Sequence, residues 1–292
     1  MAQIIDGKKI AAEIRQEVKN AVDLLKATGV EPHLVVIIVG SDPASQVYVR
    51  NKHWACQEAG IRSSMIELPE TTTQSALLAQ IEKLNTDKAV HGILVQSPLP
   101  AGLDEQQAFQ SVSPLKDVDC FHPENVGLMM LGRPRFLPCT PAGVIELLVR
   151  TGIEISGKYI VIVGRSNIVG KPLANMLIQK AKNANATVTV CHTGTKGLAY
   201  YTKQADIVIA AAGCAGIVHG DMLNANCVVI DVGTNEIEDS TKKSGHRLVG
   251  DVDFDSASKV ASYITPVPGG VGPMTIAMLL KNTVTAAKYS LT

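Results

Sequence analysis

The sequence predicts an α/β fold made of two α/β domains, and three observations carry that prediction. Apolar runs alternate with stretches of helical periodicity along almost the whole chain, the pattern of parallel strands covered by helices. The runs themselves are continuous rather than alternating, as befits strands buried on both faces. The chain has 292 residues, which at about 100 to 200 residues per domain suggests two domains or one large one.

In order, Gly7–Ala27 reads as a helix, 33–40 as a buried strand and 43–59 as a helix. A strand at 63–68, a helix at 73–84 and a strand at 90–96 follow. Pro98 and Pro100 forbid further ladder bonding, so the last strand must stop there and leave Gln96 at the sheet's carboxyl edge. A second series starts near Pro138, with a helix after Thr140-Pro141, a strand at 158–164 and a helix at 168–182. Strands at 187–192, 205–213 and 227–233 complete a small doubly wound sheet of four strands. The segment 265–273 interrupts all periodicity, and 274–289 reads as one amphipathic helix. Periodicity leaves open which domain that last helix joins.

Composition narrows the function classes. The chain carries 27 basic and 27 acidic side chains, so no basic stripe attracts a phosphate backbone or an anionic membrane, and any anion must meet a local site. Hydrophobic residues make up 46% of the chain and the mean hydropathy is +0.16, too apolar for disorder. No apolar run reaches the roughly 18 residues of a spanning helix, and residues 1–9 are polar and mixed in charge, so the expectation is a soluble cytoplasmic protein. Only 4% of residues are aromatic, which argues against single-strand stacking platforms. Six cysteines form no C-x-x-C pair and seven histidines no H-E-x-x-H. Reduced core thiols and no metal site are therefore expected.

Four stretches carry chemistry. The turn Gly164-Arg-Ser-Asn-Ile-Val-Gly170 follows a strand and opens a helix, the context in which helix-start amides face a pyrophosphate. It departs from G-x-G-x-x-G, because Ser166 replaces the second glycine and the last glycine falls one residue late; an ordinary strand-to-helix turn is the alternative. The next strand ends Cys191-His-Thr-Gly-Thr-Lys196 without the carboxylate that binds a ribose hydroxyl, so Arg165 and Thr193 suit a 2′-phosphate and NADP is favoured over NAD. Lys196 either assists or is merely solvated.

The predicted helix opening at Asp42-Pro43 carries Ser45, Tyr48 and Lys52 on one face. A phenol near an amine orients it or stacks on a flat ligand while the amine moves protons; a solvated face is the alternative. The same spacing is the catalytic pair of short-chain dehydrogenases, but there it follows the nucleotide turn, and here it comes first. Lys116-Asp-Val-Asp119 puts two carboxylates on one extended face, and Asp119 is suited to accept paired N–H donors from a guanidine-like ring; a turn or helix cap is the alternative. Pro266-Val-Pro-Gly-Gly-Val-Gly-Pro273 can bring bare backbone up to a ligand, with Pro268 a candidate for a cis bond, or serve as a hinge.

Together these stretches resemble one family, the bifunctional methylenetetrahydrofolate dehydrogenase/cyclohydrolases of the bacterial FolD type. The resemblance rests on Tyr48-Val-Arg-Asn-Lys52, Val95-Gln-Ser-Pro-Leu-Pro100, Lys116-Asp-Val-Asp119, Pro138-Cys-Thr-Pro141, Val163 through Gly170, Gly250-Asp-Val252 and Tyr263 through Thr275, in the family's order over nearly the whole chain. It implies a folate-binding catalytic domain over 1–138, completed by 267–292, and a Rossmann-like NADP-binding domain over 139–266, with the folate in a cleft between them. It implies Lys52 as the catalytic amine, Gln96 as its partner, Tyr48 against the aromatic part of the folate and Asp119 on the pterin. Val95, Ser97, Pro268, Gly269, Gly270, Val271 and Gly272 complete the substrate site. Gly164, Arg165, Ser166, Thr193 and Thr234 would hold NADP. The family's members are typically cytoplasmic homodimers acting in one-carbon metabolism. A dehydrogenase without its sister activity, or a non-catalytic nucleotide sensor, is the competing reading. Three positions depart from the family pattern: Ser97 stands in place of Leu, Cys120 in place of Gly and Thr234 in place of Ile.

Overall fold

The structure, a computed structural model, describes residues 1–241 and 245–291. It divides into two compact units. One comprises Ala12–Cys139 and Ile276–Thr292 and holds a three-stranded sheet; the other comprises Met1–Ala11 and Thr140–Thr275 and holds a six-stranded sheet. Residue 292, the end of the range expected to complete the first domain, lies outside the described residues.

The chain opens with β1 (Gln3–Ile4) and α1 (Gly7–Ala27). Asp6 caps α1 by accepting the Lys9 N–H at 3.0 Å, and the helix buries Ile10, Ile14, Val18, Val22 and Leu25, a stripe spaced by three and four. It ends at Gly29, whose φ of 86° suits glycine, with the Val30 N–H returning to the Leu25 carbonyl.

In the three-stranded unit β2 (His33–Val39) is followed by α2 (Pro43–Glu58), β3 (Arg62–Leu68), α3 (Gln74–Thr86) and β4 (Gly92–Val95). The order is β3-β2-β4, all parallel, and every residue of β2 is buried, which is why its apolar run is unbroken. One face packs Val35, Ile37, Val39, Ile93 and Val95 against Leu77, Ile81 and Leu84 of α3. Two short helices, α4 (Glu105–Ser111) and α5 (Pro123–Met130), follow.

The second series runs α6 (Cys139–Arg150), β5 (Tyr159–Val163), α7 (Gly170–Ile178), β6 (Thr187–Cys191), α8 (Leu198–Thr202), β7 (Ile207–Ala210) and β8 (Val228–Asp231). A hairpin of β9 (Asn235–Glu238) and β10 (His246–Val249), then α9 (Phe254–Ala257), β11 (Tyr263–Ile264) and α10 (Val271–Tyr289), complete it. The large sheet is parallel in the order β1-β11-β8-β7-β5-β6. The four expected strands thus form its main part, and two strands of two residues each extend it. One of these is the chain's own start, Gln3 pairing with Tyr263, so the first residues belong with this sheet rather than with the remainder of 1–138. The expected helix 168–182 is shorter, ending at Ile178 before Asn183 and Asn185 take positive φ values of 65° and 70°. α10 starts one turn earlier than periodicity suggests, at Val271.

All six cysteines are free, five of them buried and Cys214 exposed. Among the described residues no helix is long and apolar enough to cross a membrane.

Candidate active site

Each of the two parallel sheets reverses its winding at one strand. In the smaller one the chain passes from β2 out to β3 and returns to lay β4 on the other side of β2. The crevice beyond the carboxyl ends of β2 and β4 is therefore a topological switch point, where open α/β sheets take ligands. Gln96 stands there, one residue past β4, and its Oε1 accepts a hydrogen bond from Lys52 Nζ at 2.9 Å. Gln96 is oriented in turn by donating from Nε2 to the Ser97 carbonyl at 2.6 Å. Lys52 is carried by α2, which Asp42 caps by accepting the Ser45 N–H at 2.7 Å; that bond holds the Asp42 carboxyl below its ordinary range.

Ser45, Tyr48 and Lys52 do not behave alike. Ser45 is buried under the start of α2, Lys52 is half-buried, and Tyr48 is 43% exposed, free to meet a flat ligand. Two buried thiols report where the amine sits. Burial pushes the Cys56 thiol up to about 12 and Cys139 well above its usual value, and in both cases the positive charge of Lys52 pulls the other way. Asp119 acts on Cys139 as well, by charge and by a side-chain hydrogen bond. Lys52, Gln96 and Asp119 are thus gathered around one end of the small sheet. The carbonyl of Val118, next to Asp119, is held by Asn282 Nδ2 of α10 at 2.7 Å and by the Cys139 thiol at 3.4 Å.

The two carboxylates expected on one face separate. Asp117 is buried and accepts from Phe121 N at 3.0 Å, His122 N at 2.9 Å and Asn125 Nδ2 at 2.8 Å, so it is spent on shaping the loop. Asn125 is itself held by Arg135, which donates to its Oδ1 at 2.6 Å. Asp119 remains half-buried. Cys120, where the family pattern has Gly, is buried with a φ of 62°, the left-handed region that explains a glycine there.

In the large sheet the switch point lies at the carboxyl ends of β5 and β7. Gly164 leaves β5 with a φ of 131°, and a Cβ on it would collide with the Ala211 carbonyl. Arg165, Ser166, Asn167 and Ile168 are exposed beyond it. The helix-start amides are partly engaged: Ser166 Oγ accepts from Val169 N at 3.1 Å and Gly170 N at 3.4 Å. Thr193 and Lys196 are exposed in the turn after β6, which Thr195 closes by accepting the His192 N–H at 2.9 Å. Thr234 is exposed just past Gly233.

The glycine-rich segment differs from expectation. Gly269, Gly270 and Val271 are buried, and a Cβ on Gly7 would strike the Gly270 carbonyl, so these glycines allow backbone to pack on backbone within the fold. Pro268 and Gly272 are exposed, and the Val267–Pro268 bond is cis, as is Ser97–Pro98. Sequence reasoning also assigned no role to Asp231 and Asp251, two buried carboxylates at the ends of β8 and the hairpin. Their sequence signals are the Gly250-Asp-Val252 motif and Gly233, two residues past Asp231.

Comparison with known proteins gives the family of the chain. The family model "Tetrahydrofolate dehydrogenase/cyclohydrolase, catalytic domain" matches residues 5–119, and the model for the NAD(P)-binding domain of the same family matches residues 138–291. The chain belongs to the tetrahydrofolate dehydrogenase/cyclohydrolase family. Within that family it is 58% identical over 283 residues to the bifunctional protein FolD of Chlorobium phaeobacteroides (strain BS1), covering 96% of this chain and 95% of the relative. The solved bifunctional enzyme FolD, a methylenetetrahydrofolate dehydrogenase/cyclohydrolase from Campylobacter jejuni, superposes with a TM-score of 0.93 at 52% identity, covering 99% of both chains. The Trypanosoma brucei enzyme, solved with NADP and an inhibitor, gives 0.94 at 45% identity over 99% of this chain and 98% of its own.

Proposed function

We propose that this chain oxidises 5,10-methylenetetrahydrofolate to the 5,10-methenyl cation with NADP and hydrolyses that cation to 10-formyltetrahydrofolate. The reading is carried by the 2.9 Å bond between Lys52 and Gln96 at the switch point of the small sheet, in a family whose description names both activities. The three-stranded unit is assigned to the folate and the six-stranded unit to the dinucleotide.

The large sheet offers what a dinucleotide requires: a glycine whose Cβ space is filled by neighbouring backbone, and an exposed guanidinium beside it at the switch point. Arg165, Ser166 and Thr193 are proposed to hold the 2′-phosphate and Gly164 to let the turn come close, with Thr234 further along the cofactor. NADP, when bound, accepts the hydride that leaves the methylene bridge. The bridge nitrogens carry the resulting positive charge, so for this step the protein supplies alignment, worth up to roughly 7 to 11 kcal/mol.

Hydrolysis asks more of the side chains. Water adds to the cationic carbon and loses a proton. The remaining hydroxyl then gives up its second proton as the C=O bond forms, and the C–N bond breaks with its electron pair going to the nitrogen, which takes up a proton, so that one proton is released overall. Lys52 is the proposed carrier of these protons. Gln96 holds the amine in place by accepting one of its N–H bonds. Asp119 accepts the paired N–H donors of the pterin, Tyr48 meets the aromatic portion, and Val95 and Ser97 border the site. Pro268 is the exposed member of the loop proposed to close over the folate, backed by the buried Gly269 and Gly270, with Val271 and the exposed Gly272 continuing it as the first residues of α10.

The test follows reduced cofactor and methenyl absorbance together after methylenetetrahydrofolate and NADP are mixed with the protein. Reduced cofactor with only transient methenyl signal is expected. Persistent methenyl absorbance would leave a dehydrogenase alone, and no signal with retained nucleotide binding would leave a sensor. The same reading includes a cytoplasmic homodimer, checked by light scattering of the purified protein and by cell fractionation.

A further inference from the structure

Two buried carboxylates in the six-stranded unit take no part in the chemistry just described, yet they organise the backbone around the dinucleotide turn. Asp251 is fully buried. Its Oδ2 accepts the N–H groups of Ala212 at 2.6 Å and Gly213 at 2.9 Å, and its Oδ1 accepts Cys214 N at 2.9 Å and Asn235 Nδ2 at 2.8 Å. Three consecutive amides of the loop after β7 thus turn onto one carboxylate, an arrangement that fixes the path of the loop. Asp231 seats Asp251 from behind: its Oδ1 accepts Asp251 N at 2.9 Å and Gly233 N at 3.0 Å, and its Oδ2 accepts Val252 N at 3.0 Å. Asp231 is tied in turn to the segment that leads to the proline-rich loop, its own N–H reaching Thr265 Oγ1 at 2.7 Å.

The space around the pair is closed. A Cβ on Gly233 would collide with the Asp251 carboxyl, and one on Gly250 with the Asp231 carboxyl. Burying two carboxylates is costly, and packing alone never requires it, because apolar side chains fill a core without that cost. What the carboxylates achieve here is placement. The loop they hold begins at Ala211, whose carbonyl occupies the space a Cβ on Gly164 would need, so the loop backs the turn that bears Arg165 and Ser166. Asn235, the fourth donor, adjoins the exposed Thr234.

We propose that Asp251, seated by Asp231, is a positioning residue for dinucleotide binding, setting both the loop 211–214 that backs the Gly164 turn and the Asn235 side chain that fixes the segment carrying Thr234. This rests on the NADP reading above.

The test uses the full chain with Asp251→Asn, which keeps the shape but turns an N–H toward donors. NADP affinity is measured by calorimetry, and hydrolysis of supplied 5,10-methenyltetrahydrofolate is followed with no dinucleotide present. The Kd and the KM for NADP are expected to rise about tenfold or more, with kcat less affected and hydrolysis kept within about twofold. A wild-type Kd for NADP, or loss of hydrolysis in step with NADP binding in the folded variant, overturns the proposal. Should Asp251→Asn not fold, Asn235→Ala removes a single donor and leaves the carboxylate; its Kd is expected to rise about threefold or more, and an unchanged Kd overturns the proposal. Unmodified protein run in parallel separates the two readings. If it neither reduces NADP nor hydrolyses the cation, the functional reading fails and this proposal with it; if it does both and the variants match it, only this proposal fails.

Discussion

Lys52 on α2 and Gln96 beyond β4 lie 44 positions apart in the chain and are joined by a single 2.9 Å hydrogen bond from ammonium to amide oxygen. The bond exists because α2 and β4 both neighbour the central strand β2, so the fold, not local spacing, brings them together. Replacing Lys52 by Met removes the proton carrier and keeps most of the side chain's length and apolar bulk. Cyclohydrolase turnover should fall by about 10²- to 10⁴-fold while the protein stays folded and binds NADP with its usual affinity. Hydrolysis at the wild-type rate in Lys52→Met would remove the amine from the mechanism.

Arg165 is exposed beside a glycine turn, at the end of a strand whose neighbour β6 offers hydroxyls and no carboxylate. A charge-assisted bond to a phosphate contributes about 1.5 to 3 kcal/mol, so Arg165→Ala should raise the KM for NADP by about ten- to a hundredfold and the KM for NAD far less. Steady-state kinetics with both dinucleotides decides it. Equal effects on the two would show that Arg165 does not read the 2′-phosphate.

What sequence reveals here depends on where the information resides. β2 and β5 are legible because burial on both faces makes their apolar runs continuous. β1 and β11, of two residues each, have no room for a pattern; the parallel neighbour β8 and their mutual pairing define them. Tyr48 and Lys52 share a helical spacing that solvated faces also show, and it is the tertiary bond of Lys52 to Gln96 that sets the lysine apart. Asp117 and Asp119 look equivalent in the chain, but the turn into α5 claims the first through three N–H donors. Asp231, an acid after an apolar run, resembles a solvated strand end, and Asp251 stands in the Gly250-Asp-Val252 motif with nothing local to say what it holds; the glycines that make room for the two act across the fold rather than along it.

Cys120 combines a φ of 62° with 1% exposure, and its thiol donates to the Phe136 carbonyl at 3.3 Å. The left-handed backbone costs a non-glycine residue about 1 to 2 kcal/mol, whereas removing a buried side chain loses packing of similar size. Cys120→Gly should therefore leave stability within about 1 kcal/mol of the starting protein. Cys120→Val adds a β-branch where the backbone tolerates it least and should cost about 2 kcal/mol or more. Urea unfolding midpoints of the two variants check this; a Val variant as stable as the Gly variant would show that the backbone conformation imposes no cost.

Asp231 gives stability a pH dependence of a particular sign. Burial raises its carboxyl from 3.8 to about 6, opposed by the N–H bonds it accepts from Asp251 and Val252. Below the unfolded value both states hold the proton and the contribution is fully present. As pH rises through about 6 the folded protein gives up a proton it held more tightly than the unfolded chain did, and stability falls by up to about 3 kcal/mol. Asp231→Asn cannot ionise and lacks this slope, although it loses an acceptor for one backbone N–H and starts from lower stability at acid pH. Denaturation of both proteins between about pH 4 and 8 should show the wild-type advantage shrinking as pH rises. His33 and His91, whose values burial lowers, titrate in both proteins and cancel in the difference. A difference that stays flat across that range would mean that Asp231 is ionised in the folded protein throughout, satisfied by its N–H donors in spite of its burial.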